Sequence, residues 1–498
     1  MVQRRQRERS LFEVLLPDGH KLWPEWLRRI DTLLEDEAVI EVVAQGLEAR
    51  WPQSRRRGRL GTPAEVVVRM LILKHLFDWS YDDLEHEVRA NLVYRAFTRI
   101  DAGEVPDAKT ILKIALALGP EVIEQLHRQV IEVAKRAGVT HGRRFRIDTT
   151  VVATNVHYPT DSTLLQDGVR VLTRTMQRAS LALGDARGRF RNRLRSVTRT
   201  VLRIAYQARS PKTRPAFVQS YRKLMATTRA VVRDANTLVR RLGQRRQTAS
   251  RQIQPILARA QQRLQQMRPL VQRVLAQTRA RVVGGDTRVP DKVLSLFESH
   301  TETIRKGKIA KPNEFGKLVT IQESEHQIVT AYEVHRTRPA DVTLWTAALD
   351  RHQTIFGRAP DLAAGDRGFS SAANEQAATV RGVRRVVLPR RGPKSPARRA
   401  YERQRWFRRG QRWRVGSEGR ISVLKRRHGL NRCRYHGEEG MHRWVGLGVI
   451  ANNLVSTATS RTRGPPYRET GEMKRSVSEP AARSRTEQLA RGHFFTGK

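Results

Sequence analysis

Three short segments, far apart in the chain, contain residues suited to metal-ion chemistry. Asp148 lies inside an apolar, β-branched run, and Asp366 lies at a glycine-flanked bend after a short apolar stretch. Glu418 lies between Arg414 and Lys425, at steps of four and seven residues that fall on one helix face. Two strand-borne aspartates and a helix-borne glutamate can hold two Mg²⁺ ions about 4 Å apart, because these ions prefer hard oxygen ligands. Such a site catalyses phosphoryl transfer by activating the attacking oxygen and stabilising the leaving oxygen.

Each of these carboxylates also has a structural interpretation. Asp148 could cap a turn or pair with Arg146, since an unpaired buried charge is costly. Asp366 could accept hydrogen bonds in an Asx turn, and Glu418 could be a solvated residue on a helix weakened by neighbouring glycines. The order of the three residues and their strand, strand and helix contexts agree with one another. This agreement favours one shared site.

The chain carries a large positive charge. Its 498 residues include 95 Lys and Arg against 48 Asp and Glu, which gives a net charge of +47 and a pI near 11.5. Such a charge repels itself unless a polyanion neutralises it, so nucleic acid is the expected partner. A solvated basic surface in an Arg-rich protein is the alternative.

The composition also predicts the compartment. Cys433 is the single cysteine, which excludes disulfides within the chain and cysteine-rich zinc modules. No apolar run approaches the roughly 20 residues of a membrane span, and the first residues lack the apolar stretch of a signal peptide. We therefore expect an intracellular protein with no membrane contact.

The first part of the chain, residues 1–140, is predicted to be an all-helical domain. A wide apolar stripe follows Thr62-Pro63-Ala64-Glu65, which reads as a helix start with Thr62 as its N-cap. Ser80 and Asp107 are predicted to cap two further helices. The helices could bind DNA or mediate dimerisation, and the sequence does not separate these roles.

The later chain predicts an α/β domain of the ribonuclease-H-like type. Its expected order is a strand at 143–152, a hairpin at 315–323 and 327–334, a helix at 341–356 and a strand at 361–365. A helix at 371–380, a strand at 385–388 and a final helix at 417–427 complete this order. The catalytic domain is therefore placed at residues 141–164 and 301–459.

A basic helical insertion at residues 165–300 separates the first strand from the rest of this domain. Asp234 is its only acidic residue between Asp185 and Asp286. Apolar residues at alternating steps of four and three form a heptad seam, which indicates helix packing, with an arginine-rich outer side suited to phosphates. The seam consists of Ile253, Leu257, Ala260, Leu264, Met267, Val271 and Val274. Residues 460–498 are predicted to form a disordered basic tail.

A second basic segment, residues 390–414, carries 11 Lys and Arg among 25 residues and interleaves them with aromatic side chains. Arginine contacts phosphates, and aromatic rings stack on unpaired bases. A disordered basic loop is the alternative. The predicted DNA contacts in this segment are Trp406, Arg408, Arg409 and Trp413. Lys306 and Lys308 could contact DNA or line the entry to the second strand.

From about residue 60 to residue 455 the chain resembles bacterial insertion-sequence transposases of the DDE type, especially the ISNCY-like group. The motifs are DTTVVATNVHYPTD at 148–161, KGK at 306–308 before EFG at 314–316, GDRGF at 365–369 and EGRISVLK at 418–425. In related transposases the third carboxylate lies in a Tyr-x2-Arg-x3-Glu-x6-Lys pattern. Arg414, Glu418 and Lys425 fit it, and Gln411 stands at the tyrosine position.

The resemblance implies a metal-binding triad of Asp148, Asp366 and Glu418, with Arg414 and Lys425 holding phosphates of the transposon ends. Its cofactors would be two Mg²⁺ ions, or Mn²⁺ in their place. Its partners would be double-stranded DNA, as terminal inverted repeats and target DNA, and a second copy of the chain. Two alternatives stay open: a nuclease of the same fold without strand transfer, and an inactive DNA-binding remnant.

Overall fold

The computed structural model describes residues 1–5, 19–50, 53, 60–100, 103–184, 190–245, 250–305 and 313–460. Two of the predicted DNA contacts, Lys306 and Lys308, lie outside the described residues, as does the predicted tail after residue 460. Within the described part of the chain, no helix is both long and apolar enough to cross a membrane.

The N-terminal part is helical, as predicted. Its helices are α1 (Glu25–Leu33), α2 (Glu37–Ala49), α3 (Ala64–Leu76), α4 (Tyr81–Ala90), α5 (Leu92–Phe97), α6 (Ala108–Ala117) and α7 (Pro120–Arg136). Ser80 caps α4 as predicted, in a capping box with Asp83, and Asp107 accepts a hydrogen bond from the Thr110 backbone at the start of α6. The prediction for α3 was wrong by one position, because Pro63 rather than Thr62 is the residue before its first turn.

A mixed sheet forms the centre of the α/β part. Its strands are β1 (Arg144–Ala153), β2 (Glu302–Arg305), β3 (Asn313–Glu323), β4 (Val329–Val334), β5 (Leu362–Ala364) and β6 (Arg385–Val387). The order is β2-β3-β1-β5-β6, and β4 pairs with the later residues of β3. β3 is antiparallel to β1, whereas β5 and β6 run parallel to it.

The two faces of the sheet follow from the alternation along β1. Phe145 and Ile147 pack on one face against α12 (Asp341–Phe356), which has the bounds that the sequence predicts, and against Phe369. The helix α13 (Ala372–Val380) follows on the same side. Asp148 and Val152 point to the opposite face, where the C-terminal helices pack.

These C-terminal helices differ from the prediction. Most of the basic segment is helical: residues from 396 onward form α14 (Pro396–Arg403) and the first part of α15 (Arg405–Arg427). The predicted final helix was also wrong in length and in position. It begins at residue 405 instead of 417, and α16 (Gly437–Thr459) follows it. α16 is buried almost along its whole length and joins the core of the N-terminal helices.

Between β1 and β2 the chain forms a helical bundle. Its helices are α8 (Asp161–Ala182), α9 (Leu194–Gln207), α10 (Arg214–Arg245) and α11 (Gln254–Thr278). The heptad seam lies on α11, and all its members except Ile253 are fully buried against the other three helices. The arginine-rich sequence around this seam therefore faces outward, as on α9, where Arg195, Arg199 and Arg203 are exposed.

Candidate active site

Asp148 lies in the middle of β1 and points toward α15. Its Oδ2 accepts a hydrogen bond of 2.9 Å from Ser417 Oγ, and its Oδ1 accepts one of 2.8 Å from the Thr149 backbone. Burial raises the pKa of Asp148, and the charge of Asp366 raises it further, whereas Ser417, the Thr149 amide and Arg414 lower it. The carboxylate is therefore held in one orientation beside a second negative charge.

Asp366 follows the carboxyl end of β5, the parallel neighbour of β1, and lies two residues beyond the last register pair, Arg146 with Ala364, as Asp148 does on β1. Its Oδ1 accepts a hydrogen bond of 2.6 Å from the Gly368 amide, so the Asx turn that the sequence allowed is present. The charge of Asp366 raises the pKa of Asp148, so the two carboxylates are close to each other although Asp366 also forms the Asx turn. Both aspartates lie at one edge of the sheet, where α/β proteins bind ligands.

A third aspartate of this edge was missed from the sequence. Asp341 begins α12 and accepts a hydrogen bond of 3.3 Å from Thr149 Oγ1. A Cβ atom at Gly368 would lie 2.6 Å from Asp341 Oδ2 and 2.9 Å from Asp366 Oδ1, so the two carboxylates lie close on either side of this glycine. In the sequence Asp341 looks like an acidic residue at a helix start, and no local signal links it to Asp366.

Glu418 and Arg414 face Asp366 across a cleft of about 360 Å³. The cleft is lined by Asp366, Arg367, Pro389, Gln411, Arg414, Val415 and Glu418. The Arg414 guanidinium lies 3.3 Å from the Glu418 carboxylate and 4.0 Å from Asp148 Oδ2. Glu418 is 66% exposed, as expected for a solvated helix residue, yet it borders the same cleft as Asp366.

The donors of this site suit Mg²⁺ or Mn²⁺ in chemistry, because all three candidates are carboxylates. Among the described residues, no three His, Cys, Asp or Glu side chains are close enough together to hold one metal ion. Arg414 contacts two of the carboxylates and supplies the positive charge that they share. The three carboxylates match a divalent ion in donor type, and the 66% exposed Glu418 side chain can change rotamer without displacing packed atoms.

A buried ion pair below the site fixes the distance between α15 and β1. Arg146 does not pair with Asp148. Its Nε donates a hydrogen bond of 2.8 Å to Glu323 on β3, directly across the strand pair, and its Nη1 donates to the Trp413 carbonyl. A Cβ atom at Gly416 would lie 2.6 Å from Arg146 Nη1, so the helix can approach only because this residue is glycine.

The predicted DNA contacts lie on different parts of the surface rather than in one site. Arg414 lines the carboxylate cleft, whereas Trp406, Arg409 and Trp413 line a different cleft on another face of α15. Arg408 is exposed and borders neither cleft. Lys425 lies two turns, about 10 Å, beyond Glu418 along α15 and borders neither cleft.

The end of the first motif belongs to the helical bundle. The buried Asp161 carboxylate accepts hydrogen bonds from Gln277 and Arg281 at the end of α11 and the turn after it. His157 lies 3.6 Å from Asp167 on α8. These contacts connect β1 to the helices inserted after it.

Two family models match separate parts of the chain. A transposase domain (DUF772) matches residues 11–115, and a transposase DDE domain matches residues 378–457. These matches support an insertion-sequence DDE transposase. The DDE match contains Arg414 and Glu418 and ends within α16. The DUF772 match covers the helices from α1 to α6.

A curated relative of this chain has a name that describes no activity. It is the uncharacterized protein ORF8 in nfe locus of Rhizobium meliloti, 27% identical over 193 residues, which are 36% of this chain and 88% of the relative. No solved structure matches the chain.

Proposed function

We propose that this transposase cleaves the ends of an insertion sequence and joins them to target DNA by metal-dependent phosphoryl transfer. The observation that carries the proposal is the meeting of Asp148 and Asp366, from adjacent parallel strands, with Glu418 and Arg414 across one cleft. Water or a DNA 3′-hydroxyl would be the nucleophile, and the DNA 3′-oxygen would be the leaving group.

The strand order supports a ribonuclease-H-like catalytic domain. In that fold a three-stranded antiparallel meander is followed by two strands parallel to the first one. Here β1, β3 and β4 form the meander, and β5 and β6 follow in parallel beside β1. The two aspartates then belong to the first and fourth strands of that order, and the glutamate to a later helix.

In this proposal some side chains would bind the metal ions and others would bind DNA. Asp148, Asp366 and Glu418 would bind two divalent ions, which supply charge stabilisation at the attacking and leaving oxygens. Ser417 and the Thr149 amide hold Asp148 in its orientation before DNA arrives, which lowers the cost of positioning. Arg414, released from Glu418, would turn its planar fork to a phosphate next to the scissile bond, and Lys425 would contact DNA further along α15.

The homodimer belongs to the same proposal, because two transposon ends must be cut and joined in one reaction. The two alternative functions predict different products. A nuclease of the same fold would release 3′-hydroxyl ends and join none of them. An inactive remnant would bind the ends and cut nothing, although the retained carboxylate cleft argues against it.

The deciding experiment incubates the full chain with labelled end DNA of its own element, a target plasmid and Mg²⁺, and maps cut and joined products. Asp148→Ala, Asp366→Ala and Glu418→Ala should each reduce both products below detection while DNA affinity stays within about twofold, because these residues would hold metal rather than phosphate. Glu439→Ala, an acidic residue at the start of α16, is the control and should react normally. A fully active variant at any of the three positions removes that residue from the site.

A further inference from the structure

A second cleft, of about 1050 Å³, lies on the other side of α15 from the carboxylates. Its wall includes the first residues of three parallel strands: Arg144 of β1, Leu362 of β5 and Arg385 of β6. The carboxylate cleft contains Asp366 and Pro389, which follow the carboxyl ends of β5 and β6. The two clefts therefore lie at opposite ends of the same strands.

The second cleft is basic, and no acidic residue is among the described residues that line it. Its exposed guanidinium groups belong to Arg144, Arg385, Arg405, Arg409 and Arg412. Within the described part of the chain, none of these five side chains forms an ion pair with a carboxylate, although many other arginines of the protein do so. Two of the five, Arg144 and Arg385, lie over the rings of Trp413 and Trp406 at 6.0 and 5.8 Å. The five positive charges around one concave surface attract a polyanion.

Two indole rings in this cleft offer surfaces on which bases can stack, in addition to its positive charge. Trp413 lies with Arg146 over its ring at 4.8 Å, and Glu323 fixes that guanidinium from below, so the ring is held in place. Trp406 packs edge-on against Tyr401 at 5.4 Å between ring centroids. Bases of a duplex already stack on one another, so rings within a cleft favour bases of a single strand.

We propose that this cleft binds a single strand of DNA, with bases stacked on Trp406 and Trp413 and phosphates on the surrounding arginines. The inference rests on the proposed function for the choice of DNA as the polyanion. The helix α15 would then lie between two DNA strands. One of its faces presents Arg414 and Glu418 to the scissile strand. The other presents Trp406, Arg409 and Trp413 to a strand that has opened near the cut.

Neighbouring arginines on α15 give a matched pair for the test. Arg409 lines the cleft, and Arg408 is equally exposed but lies outside it. The probe is a fluorescent single-stranded oligonucleotide with 5-iodouracil, bound to the full chain in EDTA with excess unlabelled duplex to occupy other basic surfaces. Affinity is measured against salt, and photo-crosslinks are mapped by mass spectrometry.

We expect Arg409→Gln combined with Arg412→Gln to weaken binding about tenfold at low salt and to lower the salt slope by roughly 0.7 for each phosphate that is no longer neutralised. Arg408→Gln should change affinity by less than about twofold, and crosslinks should map to Trp406 or Trp413. A double variant that loses no more affinity than Arg408→Gln would overturn the proposal. So would crosslinks confined to other residues, or inorganic polyphosphate that competes as well as the single strand.

EDTA keeps this test independent of cleavage. A protein that binds the strand in the cleft but never cuts DNA would overturn the proposed function and leave the cleft assigned. A protein that cuts and joins DNA without these crosslinks would overturn the cleft alone.

Discussion

At the scale of single residues, Arg414 is the side chain that links the carboxylates of the candidate site. It contacts Asp148 and Glu418 and borders the same cleft as Asp366. A guanidinium in that place compensates the carboxylates, and it can also grip a phosphate with two parallel hydrogen bonds. An ammonium group carries the same charge without that fork.

We therefore expect Arg414→Ala to slow single-turnover cleavage of pre-formed end complexes by about 100-fold, and Arg414→Lys by about tenfold. Arg426→Lys, an exposed residue of α15 that borders neither cleft, serves as the control and should cut at the normal rate. Gln411→Tyr, which restores the residue usual in related transposases, should be tolerated. Wild-type rate and affinity in Arg414→Ala would remove both Arg414 and the placement of Glu418 from the mechanism.

At the scale of elements, the fit of α15 against β1 decides whether the carboxylates meet. Gly416 has no space for a Cβ atom because Arg146 is fixed by Glu323, whereas Gly419 on the same helix has no heavy atom within 4 Å of such a Cβ. Gly416→Ala should lower the free energy of unfolding by about 1–3 kcal/mol through overpacking and should slow cleavage. Gly419→Ala should leave cleavage unchanged and stabilise the protein by up to about 1 kcal/mol. Denaturant unfolding and cleavage rates of the two variants provide the comparison, and equal stability of both would contradict this account of how the helix packs.

The helical bundle allows a prediction about long-range charge. Arg195, Arg199 and Arg203 form one exposed stripe on α9, at a spacing of four residues. If this stripe binds duplex DNA, replacing all three by Gln should lower the slope of log K against log salt by about 0.9 for each phosphate that is no longer neutralised. Replacing them by Lys keeps the charge and should keep the slope. An unchanged slope in the Gln variant would assign this face of the bundle a structural or dimerising role.

At the scale of the whole molecule, Lys74 connects the N-terminal helices to the C-terminal part of the chain. It is only 2% exposed, and its ammonium lies 4.9 Å from the ring centroid of Tyr81, 5.2 Å from that of Tyr435 and 4.8 Å from that of Trp444. Burial lowers the pKa of Lys74 to about 8, and the nearby Arg434 lowers it as well. The folded protein therefore releases this proton at a lower pH than the unfolded chain does.

This pKa shift predicts that Lys74 contributes a rise of stability with pH. Between pH 8 and pH 10 the unfolded state binds more protons at Lys74 than the folded state, so the free energy of unfolding should increase with pH in that window. The contribution from pH 7.5 to pH 9.5 should be about 1–2 kcal/mol, and Lys74→Met should remove it. Urea unfolding of both proteins at the two pH values measures the difference, and parallel pH dependences would show that Lys74 keeps an ordinary pKa.

The sequence by itself determined those elements whose signals are local. The helix at 341–356, the capping box of α4 and the heptad seam of α11 depend on caps and apolar spacing within one segment. The strands around Asp148 and Asp366 were also predictable, because apolar runs and a glycine bend indicate them directly. The candidate carboxylates themselves follow from residue type and context.

Only the tertiary structure decided which side chains meet. α16 was missed because its glycines disfavour a helix locally, yet a Cβ atom at Gly446 would lie 2.4 Å from Tyr332 Oη, so its small residues serve close packing. Likewise, Asp341 approaches Asp366, and Trp413 lies in a different cleft from Arg414, through the packing of α12 and α15 on the sheet. Such contacts join residues far apart in sequence, and their energies depend on distances that no local pattern encodes.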